Sequence, residues 1–232
     1  MPTEEFKISD FKSIDIRFPL DVEIRQAEKY SVYVSGSDTF LDNINIYAEG
    51  DRLVIAYHLD LWSIFSSPFS RSRATITMPE IQDLKITGAA RVSLDGFATE
   101  KNFSLYVSGA SRLNINDFKA GNMNWELSGA SHIEGHLQLK GYLDLRVSGA
   151  SKIILKGETQ EARIEASGAS QIDLEDLRIS NAKVRLNGAS RSSINVNGKL
   201  DVDLNGASNL EYSGTVTMGD VRVNGASSLK KR

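Results

Sequence analysis

The chain contains no cysteine in its 232 residues. This excludes disulfide staples and thiolate chemistry, and fits either an oxidising or a reducing compartment when a long continuous core supplies the stability. No stretch approaches the roughly 18 consecutive apolar residues of a membrane span. Met1 to Asp10 lacks the basic start and apolar centre of a signal peptide. Charge of one sign is scarce as well: the formal net charge is −3, and no basic run exceeds the terminal Lys230-Lys231-Arg232, so nothing draws the chain toward nucleic acid. There is no phosphate-cradling glycine loop and no calcium-binding nonapeptide of the Gly-Gly-x-Gly-x-Asp type. With 41% hydrophobic and 25% charged residues the composition is that of a folded protein.

What the chain does contain is a phrase repeated eight times. It reads [Ser/Asn/Thr]-Gly-Ala-[Ser/Ala] and centres on Gly88, Gly109, Gly129, Gly149, Gly168, Gly188, Gly206 and Gly225, with successive spacings of 21, 20, 20, 19, 20, 18 and 19 residues. Nearly constant spacing marks one structural coil per repeat. Four residues before each glycine stand Leu84, Leu105, Trp125, Leu145, Ile164, Val184, Val202 and Val221; two before stand Ile86, Val107, Leu127, Val147, Ala166, Leu186, Leu204 and Val223. Four after stand Val92, Leu113, Ile133, Ile153, Ile172, Ser192, Leu210 and Leu229, apolar with one exception. A period of two means strands. Columns that match from coil to coil mean parallel strands stacked in register.

The intervening positions face outward. Three before the glycine they read Glu126, Arg146, Glu165, Arg185, Asp203, Arg222. Strict alternation of sign suits strands about 4.8 Å apart, where like charges in register repel. The fold class implied is all-β: a parallel β-helix or solenoid of coils about 20 residues long, expected to be right-handed as parallel crossovers are. The glycine is expected on inward parity at a corner, with Ser111, Ser131, Ser151, Ser170, Ser190, Ser208 and Ser227 also inward and hydrogen-bonded to one another or to corner carbonyls. The row Thr87, Ser108, Ser128, Ser148, Ser167, Asn187, Asn205, Asn224 passes from hydroxyls to amides, and stacked amides stabilise such ladders.

Residues 1–80 alternate too, as in Asp21-Val22-Glu23-Ile24-Arg25, but lack the phrase. They form an N-terminal β region, either degenerate first coils or a cap, ahead of the solenoid of residues 81–232, with the boundary near Met78-Pro79. A cap is required because an uncovered solenoid end exposes apolar side chains and unpaired backbone. Within this region the segment Leu61 to Phe69, with Trp62, Phe65 and Phe69, is either a loop over the end of the core or an exposed aromatic contact for a partner.

The phrase array, preceded by Phe11-Lys12-Ser13-Ile14-Asp15, Asp21-Val22-Glu23-Ile24-Arg25-Gln26 and Thr77-Met78-Pro79-Glu80-Ile81, resembles the putative auto-transporter adhesin, head GIN domain family over nearly the whole chain. The resemblance implies a secreted or envelope-associated bacterial β-solenoid, common in Bacteroidetes, with no catalytic residues. It implies an extracytoplasmic location; the missing leader and lipidation cysteine point to a chain trimmed to its mature domain.

Three constellations carry possible chemistry. His132, Glu134 and His136 share outward parity, but the span of about 13 Å is too long for one ion unless Gly135 folds it back. Glu134, Asp173, Glu175 and Asp176 imitate the acids of polysaccharide-cleaving β-helix enzymes, whereas an active site normally interrupts a repeat with long loops, and these connectors are short. The third is the row three after the glycine: Arg91, Arg112, His132, Lys152, Gln171, Arg191, Asn209, Ser228. Its long stems either simply cover the sheet or present an array of cations, with Arg91, Arg112, Lys152 and Arg191 at its heart, to an acidic glycan or surface protein. The reading is a non-enzymatic extracytoplasmic binding or structural module without cofactor or metal. The alternatives are a polysaccharide-active enzyme and a self-assembling scaffold that oligomerises by end or edge contacts.

Overall fold

The structure is a computed structural model that describes residues 1–58 and 72–232. The aromatic segment with Trp62, Phe65 and Phe69 lies outside the described residues. In chain order the elements are β1 (Thr3–Glu5), β2 (Ser13–Ile16), β3 (Asp21–Gln26), β4 (Ser31–Ser35), α1 (Asp38–Asn43), β5 (Ile44–Glu49), β6 (Arg52–Tyr57) and β7 (Arg73–Met78). There follow β8 (Asp83–Ile86), β9 (Arg91–Asp95), β10 (Phe103–Gly109), β11 (Arg112–Ala120), β12 (Met123–Gly129), β13 (His132–Leu139) and β14 (Tyr142–Gly149). The last are β15 (Lys152–Gly168), β16 (Gln171–Gly188), β17 (Arg191–Val196), β18 (Lys199–Leu204), β19 (Asn209–Ser213), β20 (Thr217–Val223) and β21 (Ser228–Lys231).

These strands build the two arms of a parallel β-solenoid. One arm stacks β8, β10, β12, β14, the second halves of β15 and β16, then β18 and β20. The other stacks β9, β11, β13, the first halves of β15 and β16, then β17, β19 and β21. The register aligns the repeat columns residue on residue: Leu84, Leu105, Trp125, Leu145, Ile164, Val184, Val202 and Val221 are successive partners. All but Val221 are buried in one hydrophobic cluster that runs from Phe11 to Leu210.

Strand pairing continues through residues 1–80. β2 lies between β6 and β8, and β3 lies between β7 and β9, all parallel. The chain therefore begins one coil in from the end, adds β6 and β7 outside β2 and β3, and then returns to resume the stack at β8. Beyond that outermost coil the pairing changes sense: β5 joins β6, β4 joins β7 and β1 joins β4, each antiparallel. The turn at Gly50 closes the β5–β6 hairpin, whereas 27–30 carries the chain from β3 past β7 to β4. Between β4 and β5, α1 sets Phe40, fully buried, against the end of the core. Its first turn is closed by Ser37, whose hydroxyl accepts from the Phe40 N–H at 3.2 Å, and the Phe40 ring stacks on Tyr57 at 5.6 Å between centroids.

The corner glycine is not inward, as the alternation suggests. Gly109, Gly129, Gly149, Gly168, Gly188, Gly206 and Gly225 are exposed, as are the alanines that follow them, and the next serine is the residue that turns in. The reason is the backbone: these seven glycines have φ between 71° and 115°, so the chain kinks outward at the glycine itself and the same parity resumes at the serine two residues on. A Cβ on Gly149 would also sit 2.4 Å from the carbonyl oxygen of Gly129 one coil below. That oxygen is doubly used, accepting from the Ala150 N–H at 2.9 Å and from the Ser151 hydroxyl at 3.4 Å. The same serine-to-glycine bond recurs from Ser111, Ser131, Ser170, Ser190 and Ser208, which satisfies a buried hydroxyl at six of the eight corners. In the neighbouring row the amides chain together: Asn205 donates to Asn187 at 3.1 Å and Asn224 to Asn205 at 3.0 Å.

Candidate functional site

The two outer faces of the solenoid carry charge in different ways. On the arm that precedes the corner, Glu126, Arg146, Glu165, Arg185, Asp203 and Arg222 are direct neighbours in alternating order. Arg185 reaches Glu165 at 3.3 Å and Asp203 at 3.5 Å. Arg163 donates to Glu165 at 2.7 Å from the adjacent row, and that bond first, then the fields of Arg185 and Arg146, hold the Glu165 carboxyl below the usual glutamate range.

On the other arm the first outward position of each strand forms a row of the opposite kind. Register places Arg91 against Arg112, Arg112 against His132, His132 against Lys152, Lys152 against Gln171 and Gln171 against Arg191, ending in Asn209 and Ser228. The structure thus brings Arg91, Arg112, Lys152 and Arg191 into one exposed line, with strands about 4.8 Å apart. Arg112, Lys152 and Arg191 have no ion-pair partner among the described residues. Two acids touch the row: Asp21, 3.6 Å from Arg91, and Glu134, 2.7 Å from His132. Hydrogen bonding from His132, aided by the charges of Lys152 and Arg112, lowers the Glu134 pKa.

Sequence reasoning missed the N-terminal continuation of the row. Asp21 on β3 is the direct neighbour of Arg91, and Arg73 on β7 is the direct neighbour of Asp21. Arg73, Arg91 and Arg112 rim a shallow open depression of about 240 Å³ whose floor includes Val22 and Val92. The available signal was the shared pattern of Asp21-Val22-Glu23-Ile24 and Arg91-Val92-Ser93-Leu94; nothing in it announces that β7 docks outside β3.

The other constellations separate. His132 pairs with Glu134, whereas His136 turns to Asp117 on the neighbouring coil at 2.6 Å. Among the described residues no group of three or more His, Asp or Glu side chains stands close enough to hold a metal. The four acids of the enzyme alternative are each engaged by a neighbour: Glu134 by His132, Asp176 by Lys156 at 2.9 Å, Glu175 by Arg232, and Asp173 by the Glu175 N–H at 3.2 Å.

Parallel coils around an apolar core, with short corners and outer faces made of rows, define a parallel β-solenoid. Residues 10–216 match the family described as putative auto-transporter adhesin, head GIN domain, and the chain belongs to that family. Among solved structures, a putative adhesin from Parabacteroides distasonis is similar at 15% identity and a TM-score of 0.91, covering 100% of this chain and 96% of its own. A putative lipid binding protein from the same organism is 18% identical with a TM-score of 0.81, over 100% of this chain and 96% of that one. A putative adhesin from Parabacteroides merdae is 15% identical with a TM-score of 0.78, over 100% and 95%. At these identities the likeness is one of fold. No curated protein matches. No helix among the described residues is long and apolar enough to cross a membrane.

Proposed function

We propose that this chain is a non-enzymatic, extracytoplasmic adhesion module that binds an acidic surface glycan along the row Arg91, Arg112, His132, Lys152 and Arg191. The observation that carries the reading is the sign of that row. Like charges directly opposite in a sheet are destabilising, and the alternating face of the same solenoid shows how such rows are neutralised when only folding is served. A polyanion laid across the strands would meet a cation every coil or two and relieve the repulsion, with the hydrated side-chain heads as contacts and no pocket needed. Residues 1–80 serve in this reading as the cap, while also contributing Arg73 to the end of the row, and residues 81–232 are the array.

The test is a heparin column and an acidic-glycan array with the Arg112→Glu, Lys152→Glu double variant. The expected result is retention of the native chain with steep salt dependence, as for any contact that releases counterions, and loss of most retention in the variant with far-UV circular dichroism unchanged. Equal binding by the two proteins would overturn the reading.

A further inference from the structure

On the arm that precedes the corner, the outer face holds a trough of about 460 Å³ that crosses β14, β15, β16 and β18. It runs along the solenoid axis over three strand spacings, roughly 14 Å, and its volume falls within the range of about 300–1,000 Å³ usual for small-ligand sites. Its floor is Ala162 and Ala182, both buried. They are the two smallest members of an inward column that holds Phe103, Met123 and Leu143 on one side of them and Leu200 on the other. One rim is the row Tyr142, Glu161, Asn181, and the other is the row Asp144, Arg163, Lys183, Asp201. The trough lies within the stack, with β12 paired to β14 on one side and β20 paired to β18 on the other, so neither end of the chain shapes it.

The groups along the trough indicate what fits it. The acids Asp144, Glu161 and Asp201 are matched in number by Arg163, Lys183 and Lys199, so the lining has no net charge and, unlike the basic row, no pull on a polyanion. Lys199 spends its charge on Asp201 at 3.1 Å, Arg163 on Glu165 at 2.7 Å, and Asp144 receives Arg146 at 3.1 Å. The Tyr142 hydroxyl, the Glu161 carboxylate, the Asn181 amide nitrogen and the Lys183 ammonium have no partner among the described residues. Tyr142 is also 38% exposed, a large ring left open to water at the head of the trough. An open aromatic ring followed by free acceptors and donors on successive strands suits a neutral sugar, whose C–H face lies on the ring and whose hydroxyls both donate and accept. A peptide strand finds no edge to extend here, because each of the four strands is already paired on both sides.

We propose that this trough binds a neutral hexose oligosaccharide laid along the solenoid axis, with one sugar ring on the face of Tyr142 and the hydroxyls of that ring and its neighbours held by Glu161, Asn181 and Lys183. The trough and the basic row lie on different arms and share no residue, so the one does not rest on the other.

The test is isothermal titration of the full chain with cellohexaose, maltohexaose and mannohexaose. At least one of the three should bind, with an affinity that hardly changes between low and high salt, since a neutral ligand releases no counterions. Tyr142→Ala should weaken that binding about tenfold or more, whereas Tyr142→Phe, which keeps the ring, should retain most of it. Glu161→Ala with Lys183→Ala should weaken it by a similar factor. These side chains are exposed, so the variants should keep the native far-UV circular dichroism. The Arg112→Glu, Lys152→Glu double variant should bind the oligosaccharide as the native chain does, and Tyr142→Ala should keep whatever heparin affinity the native chain has, so failure of one site is distinguishable from failure of the other. No binding of any of the three sugars, binding that falls steeply with salt, undiminished binding by Tyr142→Ala, or equal losses in the alanine and phenylalanine variants would each overturn the proposal.

Discussion

The first and the last described coils of this solenoid leave their inward columns in different surroundings. At the N-terminal end three antiparallel strands and α1 are laid over the last parallel coil, and Phe40 is fully buried there. At the C-terminal end the coil of β20 and β21 has the same inward columns and nothing packed upon them among the described residues. A repeat unit buries its apolar face only through its neighbours, so the interior of an end coil is only as dry as whatever follows it. The difference teaches that burial in this fold is a property of position in the stack and not of the residue: Val202 and Val221 occupy one column, and only the first is buried.

The comparison can be broken most forcefully at the covered end. Phe40→Ala should cost about 3–5 kcal/mol, the range for emptying a buried aromatic site, read as a lower urea midpoint. The matching truncation in the last coil, Val221→Ala, should stay within about 0.5 kcal/mol, because that side chain is already 44% exposed. Equal losses at the two ends would mean that the C-terminal coil is sealed in solution.

A smaller effect sharpens the contrast from inside the stack. Ser192 is the one polar residue in the column that follows the corner; it is fully buried, and its hydroxyl has no hydrogen-bond partner among the described residues. Ser192→Ala removes the stranded donor without adding volume and should raise stability by about 1–2 kcal/mol in the same denaturation assay. A drop in stability would show that the hydroxyl has a partner in solution.

The smallest effect is a pH dependence on the covered side. Glu80 accepts from Lys101 at 2.8 Å and from Gln82 at 2.7 Å. These contacts, Lys101 first, hold its pKa below the ordinary value against the opposing effect of burial. A carboxyl depressed in the folded state contributes stability that is present at neutral pH and lost as the pH falls through the folded pKa. Lys101 is exposed to solvent, so the contribution should be under about 1 kcal/mol. Glu80→Gln should flatten that part of the acid limb of the stability–pH curve, and an unchanged limb would show that the pair contributes nothing.

Much of the fold was legible in the sequence because the solenoid repeats one local solution. The apolar columns, the alternating ladder from Glu126 to Arg222 and the inward serines at the corners all follow from period-two alternation that runs on through each glycine phrase. The row Arg91, Arg112, His132, Lys152 was legible for the same reason. Its extension to Asp21 and Arg73 was not, because those strands carry no phrase to index them and β7 pairs with a strand some fifty residues earlier in the chain. The exposure of the glycines was also hidden, since alternation counts residues and does not register a positive φ that turns one residue out while its neighbours on the same parity stay in.

The amino-acid sequence by itself determined that the strands are parallel, which side chains share a column and where each corner falls, because these depend on contacts repeated at a fixed interval. Only the tertiary structure decided the order of the first coils, which end is covered, and therefore which members of a uniform column meet water. Those outcomes depend on what lies above the last strand, and a repeat carries the same local information whether or not another coil is stacked on it.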